Sequence, residues 1–170
     1  PGAAETLAAA VLEALAPRPG EHAVDLYAGV GLYAAPLAEA VGVTGRVDAV
    51  EGSAAAVRDA RRNLHDLAEV RLHEREVGRW LGSGPVRRCD LVVLDPPRAG
   101  AGAEVVRRIV GLRPRAVAYV ACDPAARGRD VRTFADLGWG LTSLRAFDLF
   151  PMTHHVECVA LLEPLVPVDG

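Results

Sequence analysis

The stretch "DLYAGVGLYAA", Asp25–Ala35, decides how this chain folds. A strand-like run, "HAVDLYA" (22–28), leads into it, and a helix-like segment, 32–41, leads out. Gly29 and Gly31 stand between them, where glycine lets the backbone turn sharply and approach a ligand closely. Strand, glycine loop and helix in that order open a nucleotide-binding α/β unit. Gly29-x-Gly31-x-x-Ala34 also fits the dinucleotide fingerprint, and Glu51 ends the next strand-like run where an acid binds ribose hydroxyls.

The same alternation continues along the chain. Further strand-like runs are 46–51, 70–77, 90–96, 115–122, one around 139–149, and 155–163. Helix-like segments occupy 3–15, 32–41, 53–67, 103–112 and 124–137. Short apolar strands alternating with amphipathic helices predict an α/β fold, a mainly parallel sheet with helices on both faces. Between the last two strand candidates there is only "FPMTH" (150–154), too short for a helix. They are expected to pair antiparallel at one edge, as a C-terminal hairpin. Seven strands with one late hairpin are also the arrangement of the class I methyltransferases, a Rossmann-like fold that this pattern resembles.

Bulk properties set the limits. The 170 residues fit a single domain (1–170), 51% hydrophobic and 24% charged, large enough to bury a substantial core. No apolar run approaches the roughly 18 residues of a membrane span, and no signal peptide is evident. Cys89, Cys122 and Cys158 are irregularly spaced and suggest neither a disulfide framework nor a zinc site. A cytoplasmic monomer without metal is expected. A net charge of −3 advertises no global attraction to nucleic acid. All 19 basic residues are arginine, most simply a coding bias, although the guanidinium fork suits phosphate wherever it clusters. The chain starts at Pro1 directly ahead of a helix-like segment and is expected to be a piece of a longer protein.

Sheets of this kind bind ligands beyond the carboxyl ends of their strands. That rule brings Tyr27–Gly31, Glu51, Asp95 and Cys122 to one rim. Asp25 inside the first strand makes the loop D-x-x-x-G-x-G, the form seen in enzymes that use S-adenosylmethionine. "LDPPRAG" (94–100) at the fourth strand end has no evident use in a dehydrogenase, so a methyltransferase is preferred to an NAD-dependent oxidoreductase.

"YVACDPAARGRD" (119–130) raises a chemical question, a thiol where a strand hands over to a helix. Asp123 suits an N-cap and Pro124 the first helical turn. A helix N-terminus favours the thiolate, the nucleophilic form of cysteine. A buried cysteine closing a core strand is the plainer alternative.

Taken together, Asp95-Pro96-Pro97-Arg98, "YVACDP" (119–124) and "DLFPMTHHVECVALL" (148–162) resemble the RNA uracil-5 methyltransferases, which form 5-methyluridine in tRNA and 23S rRNA. The matching motifs run in order from Asp25 to Leu162. Arg98 stands where amino-methylating enzymes carry an aromatic residue, which argues against N-methylation. The resemblance implies that Cys122 is the nucleophile and Glu157 the base that removes the carbon-5 proton. It implies that Tyr27, Gly29, Gly31, Leu32, Glu51 and Asp95 line the S-adenosylmethionine site, and that RNA is the partner. Arg98 and Arg127 are candidate substrate contacts, and Arg129 and Arg132 follow on the same helix.

There are departures. Ala121 and Asp123 replace the family's Ser and Asn, and the Asp123 charge opposes a thiolate. Gly78 lies near the place of an adenine ligand, so none is assigned. The family's upstream glutamine element and RNA-binding domain are expected to precede Pro1. A module that binds cofactor without catalysis is the alternative. Period-two alternation puts His155, Glu157, Val159 and Leu161 on one strand face, where partial desolvation would make Glu157 a stronger base. Cys158 falls on the other face. His154 and His155 are open between contact with RNA, contact with Glu157 and a structural role.

Overall fold

The structure, a computed structural model, describes residues 2–149 and 152–166. Its elements are α1 (Ala3–Leu15), β1 (His22–Leu26), α2 (Ala34–Val41), β2 (Arg46–Glu51), α3 (Ala54–Leu64), β3 (Val70–Glu74), α4 (Val77–Gly82), β4 (Leu91–Leu94), α5 (Ala103–Gly111), β5 (Ala116–Ala121), α6 (Pro124–Asp136), β6 (Trp139–Phe147) and β7 (Glu157–Pro164). The strands form one sheet in the order β3-β2-β1-β4-β5-β7-β6. β3, β2, β1, β4 and β5 run parallel, while β7 is antiparallel to both β5 and β6. The expected hairpin is present. Its second strand takes the inner position because Val159, Ala160 and Leu162 of β7 are buried, whereas β6 is exposed along most of its length. Phe150 and Pro151 of "FPMTH" lie outside the described residues.

Side-chain alternation explains the two cores. Ala23 of β1, Leu91 and Val93 of β4, and Ala118 and Val120 of β5 pack under α1, α2 and α3. Val24, Leu26, Val92, Leu94, Val117 and Tyr119 point the other way, against Trp80 of α4, Ile109 of α5 and Phe134 of α6. β4 and β5 are buried at every position, which is why they read as continuous apolar runs.

One element departs from the sequence reading. The run 70–77 reads as one strand, but β3 stops at Glu74 and α4 begins at Val77. The Glu76 carboxylate accepts the amides of Gly78 and Arg79, both at 2.9 Å, and so caps a short helix. Val77, Trp80 and Leu81 have helical spacing and are all buried. Elsewhere boundaries move by a few residues. β1 ends at Leu26 because Tyr27 turns to φ 60°, and β7 begins at Glu157, leaving His155 in the preceding loop.

Candidate active site

Strand order puts the candidate residues side by side. Val50 pairs with Leu26, Leu26 with Leu94, and Leu94 with Tyr119. The carboxyl ends of β2, β1, β4 and β5 therefore form one continuous rim. Along it follow Glu51, the loop Tyr27–Leu32, Asp95 and Cys122. β7 runs antiparallel, so its first residue, Glu157, reaches the same rim. The ladder pairs Val120 with Val159 and ends with Ala121 and Cys158; Cys122 follows directly after β5, and Glu157 precedes Cys158 on β7.

The glycine loop is held from β2. Glu51 accepts the Gly29 amide at 2.9 Å and the Ser53 amide at 2.7 Å. Each carboxylate oxygen keeps a lone pair for a further donor. Gly29 has φ 57°, and a Cβ there would meet no atom within 4 Å, so open space lies over this turn. Gly31 (φ 94°) is confined, since a Cβ would come within 2.9 Å of Leu64 Cδ1. Tyr27 and Leu32 flank the loop, both half-buried. Burial, then the charges of Glu76 and Asp130, pushes the Tyr27 phenol up to about 12.

Beneath the loop lies an acidic cluster. Asp25 is fully buried with neither carboxyl oxygen hydrogen-bonded; the Ala34 amide points at it without closing a bond of ordinary geometry. Burial, then the neighbouring Asp95, pushes its pKa well above the carboxylate range. Tyr33 is 3% exposed, and its hydroxyl faces Asp95, Asp25 and Glu157 with no hydrogen bond of ordinary geometry. Asp95 presents surface to solvent, yet burial on the carboxyl's inner side, followed by the Glu157 charge, raises it to about 6. Three acidic side chains, Asp25, Asp95 and Glu157, gathered around the Tyr33 phenol make a site suited to a positively charged ligand.

Around the thiol the chemistry changes. Cys122 is half-buried. With Arg98, Asp123, Pro124 and His155 it lines an open hollow of about 370 Å³. A smaller one is lined by Pro96, Pro97 and Arg98 from the loop after β4 and by Tyr119, Ala121 and Ala126 from β5 and α6. Asp123 caps α6 as the sequence predicts, accepting from Ala125 at 2.8 Å and Ala126 at 3.1 Å. Those amides hold its carboxyl below the usual range, with Arg129 and Arg98 adding to the effect. The Asp123 charge thus faces two guanidinium groups as well as Cys122. Arg127 is half-buried and lines neither hollow.

The other cysteines have different surroundings. Burial pushes the Cys89 thiol up to about 12, far from the thiolate form at neutral pH. Cys158 is half-buried, between Ala121 and Ala146 in the sheet. Tyr33 and Asp130 escape a reading of the sequence. Tyr33 looks like one more apolar helix residue, and the value of Asp130 depends on a loop distant in sequence. Among the described residues no group of three His, Cys, Asp or Glu side chains could hold a metal, and no helix is long and apolar enough to cross a membrane.

Comparison with known proteins identifies the family. A family model described as tRNA (Uracil-5-)-methyltransferase matches residues 5–165. The chain is similar to an uncharacterised RNA methyltransferase of Streptomyces avermitilis, 53% identical over 164 residues, covering 96% of this chain and 38% of that protein. It is 37% identical over 162 residues to the 23S rRNA (uracil(1939)-C(5))-methyltransferase RlmD of Shewanella sp. (strain ANA-3), covering 94% of this chain and 35% of the relative. The chain thus spans little more than a third of the length of these curated relatives. In fold it resembles TrmN from Thermus thermophilus, with a TM-score of 0.71 at 23% identity over 94% of this chain and 48% of that one. With its glycine loop, Asp-Pro-Pro-Arg turn and rim cysteine on a sheet of this topology, the chain belongs to the tRNA (uracil-5-)-methyltransferase family.

Proposed function

We propose that this chain is the catalytic domain of an S-adenosylmethionine-dependent enzyme that forms 5-methyluridine in ribosomal or transfer RNA. The observation that supports the reading is the rim end of the β5–β7 ladder, where Cys122 and Glu157 adjoin the last pair, Ala121 and Cys158, and Cys122 lines a hollow with Arg98.

The rim residues fit the cofactor. Glu51 retains acceptor capacity for ribose hydroxyls, Gly29 faces open space, and the acids around Tyr33 suit an ammonium and a sulfonium. S-adenosylmethionine supplies an electrophilic methyl group when bound. Tyr27, Gly31, Leu32 and Asp95 complete the walls of this proposed site.

Carbon-5 of uracil is a weak nucleophile. Addition of the Cys122 thiolate to carbon-6 makes an enolate and turns carbon-5 into a carbanion equivalent. Once carbon-5 carries both methyl and proton, Glu157 takes the proton, the carbon-6–sulfur bond breaks, and the thiolate returns. Arg98 lines the same hollow as Cys122 and would contact the base or its phosphate, and Arg127 of α6 would meet flanking RNA. The target base must leave its stack to reach the half-buried thiol.

The test is direct. Unmodified 23S rRNA and tRNA are each incubated with the full-length protein that carries this chain and with S-adenosylmethionine bearing a labelled methyl group. Mass spectrometry of the digested RNA should find the label in 5-methyluridine, and Cys122→Ala should remove it. Label at any other nucleoside position, or none in either RNA, would overturn the reading.

A further inference from the structure

Asp130 is a buried carboxylate that the proposed chemistry does not use. It is 4% exposed, on the inner side of α6, and its partners are two amides and a phenol rather than a cation. Oδ2 accepts the Tyr119 hydroxyl at 2.5 Å and the Ala101 amide at 2.7 Å, and Oδ1 accepts the Gly102 amide at 3.1 Å. Burying a carboxylate is costly unless such donors satisfy it. A purely apolar contact would serve packing as well.

The three donors come from two separate walls. Ala101 and Gly102 end the loop that begins with Asp95-Pro96-Pro97-Arg98. Tyr119 lies on β5, three residues before Cys122. Asp130 itself belongs to the helix that Asp123 caps. Loop, strand and helix are the three walls of the smaller hollow beside the thiol, whose lining includes Arg98, Tyr119, Cys122 and Ala126. The loop is shaped to meet the carboxylate. The Gly100 amide closes a turn onto the Pro97 carbonyl at 2.8 Å, and Gly100 has φ 87°. A Cβ at Gly100 would stand 2.8 Å from Asp130 Oδ2 and 3.3 Å from Ala126 Cβ. Burial, then Asp130, pushes the Tyr119 phenol upward, so it remains a donor at any working pH.

We propose that Asp130 is a positioning residue that ties the Pro97–Gly102 loop to β5, and so fixes Arg98 across from Cys122. The catalytic part of this inference rests on the function proposed above. Asp130 touches no reacting atom; it sets the distance between the guanidinium and the thiol.

Asp130→Asn replaces one acceptor oxygen with an NH2 that must face donors. Tyr119→Phe is the gentler variant, since it leaves both loop amides paired. Gly100→Ala attacks the same contact from the loop side. Hydrogen exchange of the peptide covering 96–102 and mapped alkylation of Cys122 by iodoacetamide are compared with the melting temperature and S-adenosylmethionine affinity. In Asp130→Asn, exchange in 96–102 should accelerate and Cys122 alkylation should change while most other peptides hold. kcat should fall about tenfold or more, the scale of a misplaced catalytic group. KM for S-adenosylmethionine should stay within roughly twofold, because that loss is not one of ground-state binding. Tyr119→Phe should show the same pattern more weakly.

Unchanged exchange and alkylation in both Asp130→Asn and Tyr119→Phe would overturn the clamp. A fall in activity that only tracks the folded fraction would overturn the positioning role. A wild-type protein that makes no 5-methyluridine would overturn the functional reading alone, and exchange and alkylation would still decide whether Asp130 holds the loop.

Discussion

The Gly29 amide donates to Glu51 Oε1 at 2.9 Å, so the carboxylate expected to take ribose hydroxyls also shapes the loop beneath them. Its other oxygen fixes Ser53, which caps α3. Glu51→Ala should weaken S-adenosylmethionine by about 1.5–3 kcal/mol, the loss expected for hydrogen bonds to a charged acceptor. The domain should remain folded, because Gly29 and Ser53 lie where water can replace the lost acceptor. Calorimetry and a thermal melt measure the two effects. NAD(H) binding in place of S-adenosylmethionine would restore the dehydrogenase alternative.

The two glycines of the loop should respond unequally. At Gly29 an added methyl meets open space, and only the left-handed φ of 57° resists it. Gly29→Ala should therefore cost on the order of 1–2 kcal/mol of stability. At Gly31 the same methyl combines a φ of 94° with a 2.9 Å approach to Leu64 Cδ1. Gly31→Ala should destabilise more in a denaturant melt; equal losses would mean that the Leu64 contact yields easily.

Asp95 gives the site an acid limb. Its folded pKa of about 6 lies above its unfolded value, so its proton stabilises the fold at low pH, and that stabilisation is lost as pH rises through about 6. Binding of a cation should run the opposite way, improving as the carboxylate ionises. S-adenosylmethionine affinity should fall below pH 6 in the wild type and lose that dependence in Asp95→Asn. Because the Glu157 charge is the second cause of the shift, Glu157→Gln should move the midpoint down. A midpoint unmoved by Glu157→Gln would place the two carboxylates too far apart to interact.

Much of this was legible in the sequence because each β–α unit carries its own local signals. Asp123-Pro124 marks the start of α6, Gly29 and Gly31 mark the first loop, and the buried runs of β4 and β5 mark the sheet centre. Strand-end position alone brings Glu51, Asp95 and Cys122 to one rim, as the order β2-β1-β4-β5 confirms. Long-range partners were not legible. Nothing local marks α4 except Val77, Trp80 and Leu81 at helical spacing, and the capping role of Glu76 shows only once the chain turns. Asp130 meets Ala101 and Gly102 across 28 or 29 residues, and the Tyr33 hydroxyl gains meaning only from Asp95 and Glu157.

Asp48 predicts how the fold responds to acid. It is 1% exposed on β2, and accepts from His22 of β1 at 2.5 Å, His73 of β3 at 2.7 Å and Arg46 at 2.8 Å. Burial alone would raise its pKa, but these donors prevail and hold it well below the carboxylate range. A depressed pKa contributes stability that is full above the unfolded value, about 3.9, and lost as pH falls towards the folded one. Asp48→Asn should cost on the order of 3 kcal/mol at neutral pH, as for a broken buried ion pair. The gap from wild type should close below about pH 4. A gap that persists undiminished in acid would trace the loss to packing.

Cys122 and Glu157 adjoin the last pair of the β5–β7 ladder, Ala121 and Cys158, and the proposed chemistry gives them separable tasks. Cys122→Ala should abolish both methylation and any covalent complex with RNA, because carbon-5 is never activated. Glu157→Gln should differ in kind. Thiolate addition and methylation of carbon-5 need no base, so both proceed, but the carbon-5 proton then has no acceptor and elimination stalls. A protein–RNA adduct carrying the methyl group should accumulate and survive denaturing electrophoresis, with peptide mapping placing the bond on Cys122. Cys89, with its thiol pushed up to about 12, should stay unmodified. Free methylated RNA released by Glu157→Gln at the wild-type rate would move the base elsewhere on the rim, with Asp95, its charged neighbour, the first residue to test.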